Sequence, residues 1–235
     1  MIGHRGASAA FAENTPEAFA AADRMGADGV ELDVRLAPTV AGRQRLVVFH
    51  DPLPADPAAV AALPGFDEVL DACGDRLLVN VEIKNSVGDG GHDATMAVVP
   101  RVLDSMRRRG VAWRDRFVVS SFDAATLAHC RRVAPEFWTA QLLDGATDGD
   151  IERAAAAGHV AIHPRHDAAT AAVIESAHAA GLAVNVWTAN EASRLVELDG
   201  LGVDGACTDV PDVALGALGR TSAALTPRWS TTPVA

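Results

Sequence analysis

Long apolar runs are missing from this 235-residue chain. No stretch of about 18 uncharged apolar residues occurs, so no membrane-spanning helix is predicted. The opening, MIGHRGASAAF, lacks the basic start and extended apolar segment of a signal peptide. Cysteine is scarce. Cys73, Cys130 and Cys207 are odd in number and widely spaced, which suits neither a disulfide framework nor a zinc site and points to a reducing compartment. The chain therefore reads as cytoplasmic, with its thiols buried and inert. Positive charge is scarce as well: 20 Lys and Arg against 31 Asp and Glu leave a net charge of −11. That balance argues against nucleic acid or an anionic membrane surface as a partner. An anionic substrate has to be drawn in by local charge, such as a bound cation.

What the chain does contain is alternation. Short β-branched runs at 1–4, 28–35, 77–83, 116–121, 137–142, 159–163, 182–187 and 204–208 read as strands. Ala-rich helical patterns lie between them at 16–25, 66–73, 93–109, 123–134, 148–157, 168–180, 190–199 and 211–218, several followed by a helix-ending glycine. Regular βα alternation implies a parallel sheet. Eight units fit a closed TIM (β/α)8 barrel better than an open doubly wound sheet, and no Gly-rich dinucleotide loop opens the first strand–helix turn. Residues 36–46 read as a hairpin or loop, and 51–65 as a Pro/Ala-rich surface connection. The expected domain covers 1–220, with 221–235 a loosely ordered tail.

Barrel enzymes carry their chemistry at the C-terminal strand ends. In GVELDVRL, residues 29–36, the two-residue strand period puts Val30, Leu32, Val34 and Leu36 on one face and Glu31, Asp33 and Arg35 on the other. LLVNVEIKN repeats the pattern, with Asn80, Glu82 and Lys84 sharing a face. Three carboxylates on adjacent strands, Glu31, Asp33 and Glu82, repel and have to protonate or find a cation. One divalent cation, Mg²⁺ or Ca²⁺, suits such an all-oxygen set. The plainer reading is that Arg5, Arg35 and Lys84 neutralise them as ion pairs. His4 and His50, at two strand ends beside the cluster, suit general acid and base work. His163 and His166 read as strand-end polar residues without a partner, and His92, His129, His159 and His178 as loop or helix-surface residues. In AENTPEAF, Thr15 or Asn14 caps a helix that Pro16 starts, so that stretch needs no function. Trp187 reads equally as core filling or as an apolar wall for a substrate.

Together IGHRGASAAFAENTPEAF, GVELDVRL, LVVFHD, VNVEIK, VSSFD, VNVWTANE and GVDGACTDVP closely resemble, in order and from residue 2 to about 212, the glycerophosphodiester phosphodiesterase family. The resemblance implies a TIM barrel of the phosphatidylinositol-phosphodiesterase superfamily. It implies hydrolysis of glycerophosphodiesters to sn-glycerol 3-phosphate and an alcohol with a divalent cation. In the family's picture the glycerol 2-hydroxyl attacks first and water then opens the cyclic phosphate. Glu31, Asp33 and Glu82 match metal ligands, and His4 and His50 the acid/base pair. Arg5 and Lys84 match phosphate-binding positions, and Trp187 an aromatic residue on the glycerol side. The chain departs in one place. HDPLPADPAAVAALPGF lacks the longer insertion after the second barrel strand, since only 31 residues, 51–81, separate His50 from Glu82. A related phosphodiesterase acting on lysophospholipids or another phosphorylated headgroup stays open, as does, behind it, a non-catalytic barrel that binds a phosphorylated ligand.

Overall fold

The computed structural model describes residues 1–38, 44–88 and 91–220. Its sheet contains β1 (Ile2–His4), β2 (Gly29–Leu36), β3 (Leu46–Val48), β4 (Leu78–Ile83), β5 (Phe117–Ser121), β6 (Trp138–Leu143), β7 (Ala161–Pro164), β8 (Ala183–Val186) and β9 (Gly205–Thr208). Eight of these pair in parallel in the order β1-β9-β8-β7-β6-β5-β4-β2, and β1 pairs with β2 to close the barrel. β3 lies antiparallel on β2, so the stretch read as a hairpin is one, although residues 39–43 at its turn fall outside the described residues. The proposed tail, 221–235, falls outside them too.

Helices fill the connections: α1 (Pro16–Arg24), α2 (Pro57–Ala62), α3 (Phe66–Ala72), α4 (Val98–Arg108), α5 (Val111–Arg114), α6 (Ala124–Val133), α7 (Asp148–Ala156), α8 (Ala171–Ala179), α9 (Ala192–Leu201) and α10 (Pro211–Ala217). No described helix is long and apolar enough to cross a membrane. The short α5 is absent from the sequence reading, and two further elements differ from it for visible reasons. The 51–65 connection contains α2, because Asp56 accepts a hydrogen bond from the Ala58 N–H, Pro57 suits the first turn, and Val60 finds apolar cover. The helix expected from 93 starts at Val98. Asp93 takes the Thr95 and Ala97 amides into a turn, and Met96 adopts φ +56°, which helix geometry forbids. Between His50 and β4 the chain builds only α2 and α3, as the reduced insertion predicts.

The alternation in β2 sorts its side chains across the barrel wall. Val30, Leu32 and Val34 are fully buried beneath the helices, packed with Phe19 of α1 and Leu70 of α3. A second apolar cluster, including Ile162, Val184, Leu195 and Leu198, serves the other half of the ring. The lumen is closed low down by Val118, Trp138, Ala140, Ala161 and Ala183. Polar residues therefore have room only above that plug, towards the C-terminal strand ends.

His159 lies in the loop between α7 and β7, but not at the surface. It is buried, with Nδ1 2.8 Å from the Thr139 hydroxyl. Burial, with Arg131 nearby, pulls its imidazole down to about 4. The unfolded chain takes up that proton below its ordinary value near 6.5 while the folded protein stays neutral. His159 therefore costs stability as pH falls from 6.5 towards 4, by about 1.4 kcal/mol per pH unit. We predict that urea unfolding of His159→Gln shows a pH slope shallower than wild type by about that amount across this window. Parallel slopes would mean that His159 is charged in the folded protein.

Candidate active site

The HRG turn that follows β1 is tightly made. Arg5 has φ +55° and Gly6 φ +85°, and a Cβ on Gly6 would stand 2.5 Å from the Ala18 backbone carbon. Only glycine lets the turn press onto α1. The turn aims the Arg5 N–H at Glu31 Oε2, 3.1 Å away, and leaves His4 facing the same space.

Register brings the acidic residues together. His4 pairs with Glu31, and Asp33 with Glu82, across adjacent parallel strands. Glu31, Asp33 and Glu82 are all buried, and one oxygen of each lies within 4.8 Å of the others. The ion pairs of the plainer reading exist in part. Lys84 Nζ lies 3.0 Å from Glu82 and 3.8 Å from Asp33, and Arg5 Nε 3.3 Å from Asp33. Arg5 is shared with Glu13 at 2.9 Å. Burial, then Asp33 and Glu82, push the Glu31 carboxyl well above the usual range against the pull of Arg5. Glu31 Oε1 and Asp33 Oδ1 are buried with no hydrogen-bond partner. Orphaned hard oxygens in a like-charged cluster fit a divalent cation.

Arg35 does something the sequence did not show. Its guanidinium donates to the Phe49 carbonyl at 3.2 Å and to the His50 carbonyl at 2.6 Å, holding the loop that carries His50. His50 is half-buried, with Nδ1 2.9 Å from Asp51 Oδ1. His4 has the stronger partner: its Nδ1 lies 2.6 Å from Asp209 Oδ1, just after β9. Ser8 donates to the same oxygen at 2.9 Å, and the Asn190 amide to the other at 2.6 Å. Burial alone would raise the Asp209 carboxyl, but the bonds from His4, Asn190 and Ser8 hold it at about 2. Asp209 is therefore ionised, and His4 Nδ1 carries the shared proton, which leaves Nε2 for the cavity side, 4.0 Å from Glu31.

One cavity of about 220 Å³ takes in His4, Arg5, Glu31, His50, Glu82, Lys84 and Trp187 together. Trp187 stands edge-on to Phe122 at 5.5 Å and donates Nε1 to the His163 carbonyl at 2.8 Å, so its ring walls the cavity. His163 lines the cavity as well and has a partner, the Asn185 amide at 3.1 Å. His92 and His178 bond to the Asn85 carbonyl and to Asp204, away from the cavity. The three cysteines are free and buried, and burial pushes the Cys73 and Cys130 thiols up to about 12.

Sequence reasoning took Asn14 only as a candidate cap and missed its place at the site. Thr15 is the cap of α1, accepting from the Ala18 N–H. Asn14 is buried at φ +60° and donates Nδ2 to Asp33 Oδ2 at 2.9 Å, fixing that carboxylate. A capping explanation hid it, because Asn suits both roles. We predict that Asn14→Gly, which relieves the backbone, weakens divalent-cation binding by about 10–100-fold in calorimetric titration. Affinity equal to wild type would mean that the amide does not hold Asp33 in a ligating position.

The chain matches the model of the Glycerophosphoryl diester phosphodiesterase family over residues 4–56 and 41–213. It is 31% identical to an uncharacterized protein of Bacillus subtilis strain 168, over 91% of this chain and 96% of that one. It is 29% identical to the glycerophosphodiester phosphodiesterase of Bacillus altitudinis, over 92% and 96%. A phosphodiesterase of Oleispira antarctica, solved with its product sn-glycerol-3-phosphate, has the same fold: TM-score 0.82 at 21% identity, covering 93% of this chain and 96% of that one.

Proposed function

We propose a function from one premise: the chain belongs to the glycerophosphoryl diester phosphodiesterase family. The reaction proposed is cation-dependent hydrolysis of glycerophosphodiesters to sn-glycerol 3-phosphate and an alcohol. The observation that carries it is a buried cluster of three carboxylates, two of which, Glu31 and Glu82, line one cavity together with two histidines. Glu31, Asp33 and Glu82 are the ligands proposed for one Mg²⁺ or Ca²⁺. When bound, the cation supplies Lewis-acid polarisation of the phosphoryl oxygens and offsets the carboxylates. Arg5 and Lys84 hold the phosphate, and their charge brings an anion into a protein of net charge −11.

His4 and His50 divide the proton work. One takes the proton of the attacking hydroxyl while the other gives a proton to the leaving alcohol oxygen. Asp209 favours His4 as the imidazole that becomes charged, because its carboxylate balances the imidazolium. Trp187 and Phe122 exclude water from one side of the reacting ester. The three buried thiols support a reducing, cytoplasmic location.

The experiment follows release of sn-glycerol 3-phosphate from a mixture of glycerophosphodiesters with Mg²⁺ or Ca²⁺, then with chelator, beside a lysophospholipid. Cation-dependent release from the water-soluble diesters is expected. Release from the lysophospholipid alone would move the substrate class. No release from either by folded protein would leave a binding barrel.

A further inference from the structure

Strand β6 is polar on the side that faces away from the catalytic cavity. Trp138 and Ala140 point into the lumen, so the strand period turns Thr139, Gln141 and Leu143 outwards to the helix layer. There α6 and α7 leave a groove of about 450 Å³, walled by Ala124 and Ala128 of α6, Ala154 of α7, and Ala157 and Leu143. That volume lies in the range of about 300–1,000 Å³ usual for small-molecule sites. Two polar groups in the groove lack partners. Arg131 is, among the described residues, the one part-buried arginine with neither a hydrogen bond nor an ion pair from its side chain; Arg5, Arg35, Arg109, Arg116 and Arg194 all have them. Its guanidinium lies over Gly158, where a Cβ would stand 2.6 Å from Nη2. His159, the next residue, is more than nine-tenths buried and lines the groove. Its Nδ1 is taken by the Thr139 hydroxyl, and Nε2 has no partner.

We propose that this groove is a second ligand site, which binds a small carboxylate with an apolar body. It shares no lining residue with the catalytic cavity. Charge selects the head. Arg153, also in the groove, is matched by Asp150, so Arg131 alone is uncompensated and one negative charge balances it. A guanidinium fork pairs with both oxygens of a carboxylate. A dianionic phosphate monoester would bring a second charge against Asp150 with no further cation to balance it. With the Thr139 hydroxyl donating to Nδ1, His159 carries its proton on Nε2 and donates it to the same head. Burial, then Arg131, hold that imidazole down at about 4, so it is a neutral donor and adds no second positive charge. The alanines select the body, because side chains this short leave an apolar trough that an aliphatic or aromatic carbon skeleton fills.

The test follows the His159 ring by NMR in the whole protein while benzoate, benzamide or inorganic phosphate is added. Benzoate is expected to shift that ring saturably and to bind about tenfold tighter than phosphate or benzamide, its neutral counterpart, as one charge-assisted pair predicts. Arg131→Gln is expected to weaken benzoate by about tenfold as well, with turnover of a glycerophosphodiester unchanged. Arg131→Lys keeps the charge without the fork and recovers part of that affinity. Ala128→Leu fills the groove from α6 and is expected to abolish the shift, which serves where an Arg131 variant does not fold. Benzoate binding equally well to Arg131→Gln, or shifting the ring of His4 and not that of His159, would overturn the site. Phosphate binding tighter than benzoate at His159 would overturn the carboxylate class. No saturable shift with any of the three would mean that the groove holds water only, which overturns the proposal.

Discussion

His4→Ala is expected to lower kcat for a glycerophosphodiester by about 10²–10⁴-fold while the barrel stays folded. His4 stands at the end of β1 with its side chain towards the cavity, so truncation removes a proton carrier and little apolar packing. Its ring is held from behind. Asp209 Oδ1 at 2.6 Å fixes the tautomer, and Ser8 and Asn190 fix Asp209. Asp209 is a positioning residue by this argument. Asp209→Asn should lower kcat by about 10²-fold with KM little changed, and Asp209→Glu should restore part of the loss. A structural role alone would lower the melting temperature and leave kcat untouched. His50→Ala is expected to match His4→Ala, although His50 has only the exposed Asp51 beside it. Turnover near wild type in either alanine variant would remove that histidine from the mechanism.

Glu31→Gln is expected to weaken divalent-cation binding by at least about 100-fold, and to do so with opposite effects on stability in two buffers. In chelator, wild type holds three buried carboxylates against the charges of Arg5 and Lys84, and Glu31 bears the strain of burial beside Asp33 and Glu82. The amide removes one like charge and keeps an acceptor for the Arg5 N–H, so the variant melts at or above wild type. With Mg²⁺ or Ca²⁺ the order reverses, because binding to the folded state alone raises wild-type stability by RT ln(1 + [L]/Kd) and the variant gains little. Calorimetric titration and melting curves in both buffers check this. If added cation raised both proteins equally, Glu31 would return to the ion-pair reading.

Much of this molecule is written locally. The two-residue period of GVELDVRL and LLVNVEIKN separates lumen from helix side without any tertiary information, since a parallel strand buried on both faces shows polar residues only where its inner face is wet. That period predicts Glu31, Asp33 and Glu82 as one cluster, and the βα count predicts the closed ring. Glu31 and Asp33 share a strand, and Glu82 comes from the next strand of the ring, so the prediction asks little of long-range folding. The residues that were missed ask more. Asp209 reaches His4 only because β9 closes against β1, 205 positions apart in the chain. Asn14 had a sufficient local explanation as a cap, and only the turn at Arg5–Gly6 swings it onto Asp33. Arg35 looked like a counter-ion by its place on β2, yet its guanidinium also holds the His50 loop through backbone carbonyls that no side-chain pattern reveals. His163 read as a strand-end polar residue without a partner until the register of β7 and β8 set Asn185 beside it. The sequence by itself determined the strands, their faces and the charged groups at their ends, because periodicity acts within a few residues. The tertiary structure decided which neutral groups hold those charges in place, because hydrogen-bond partners are chosen by ring closure and register.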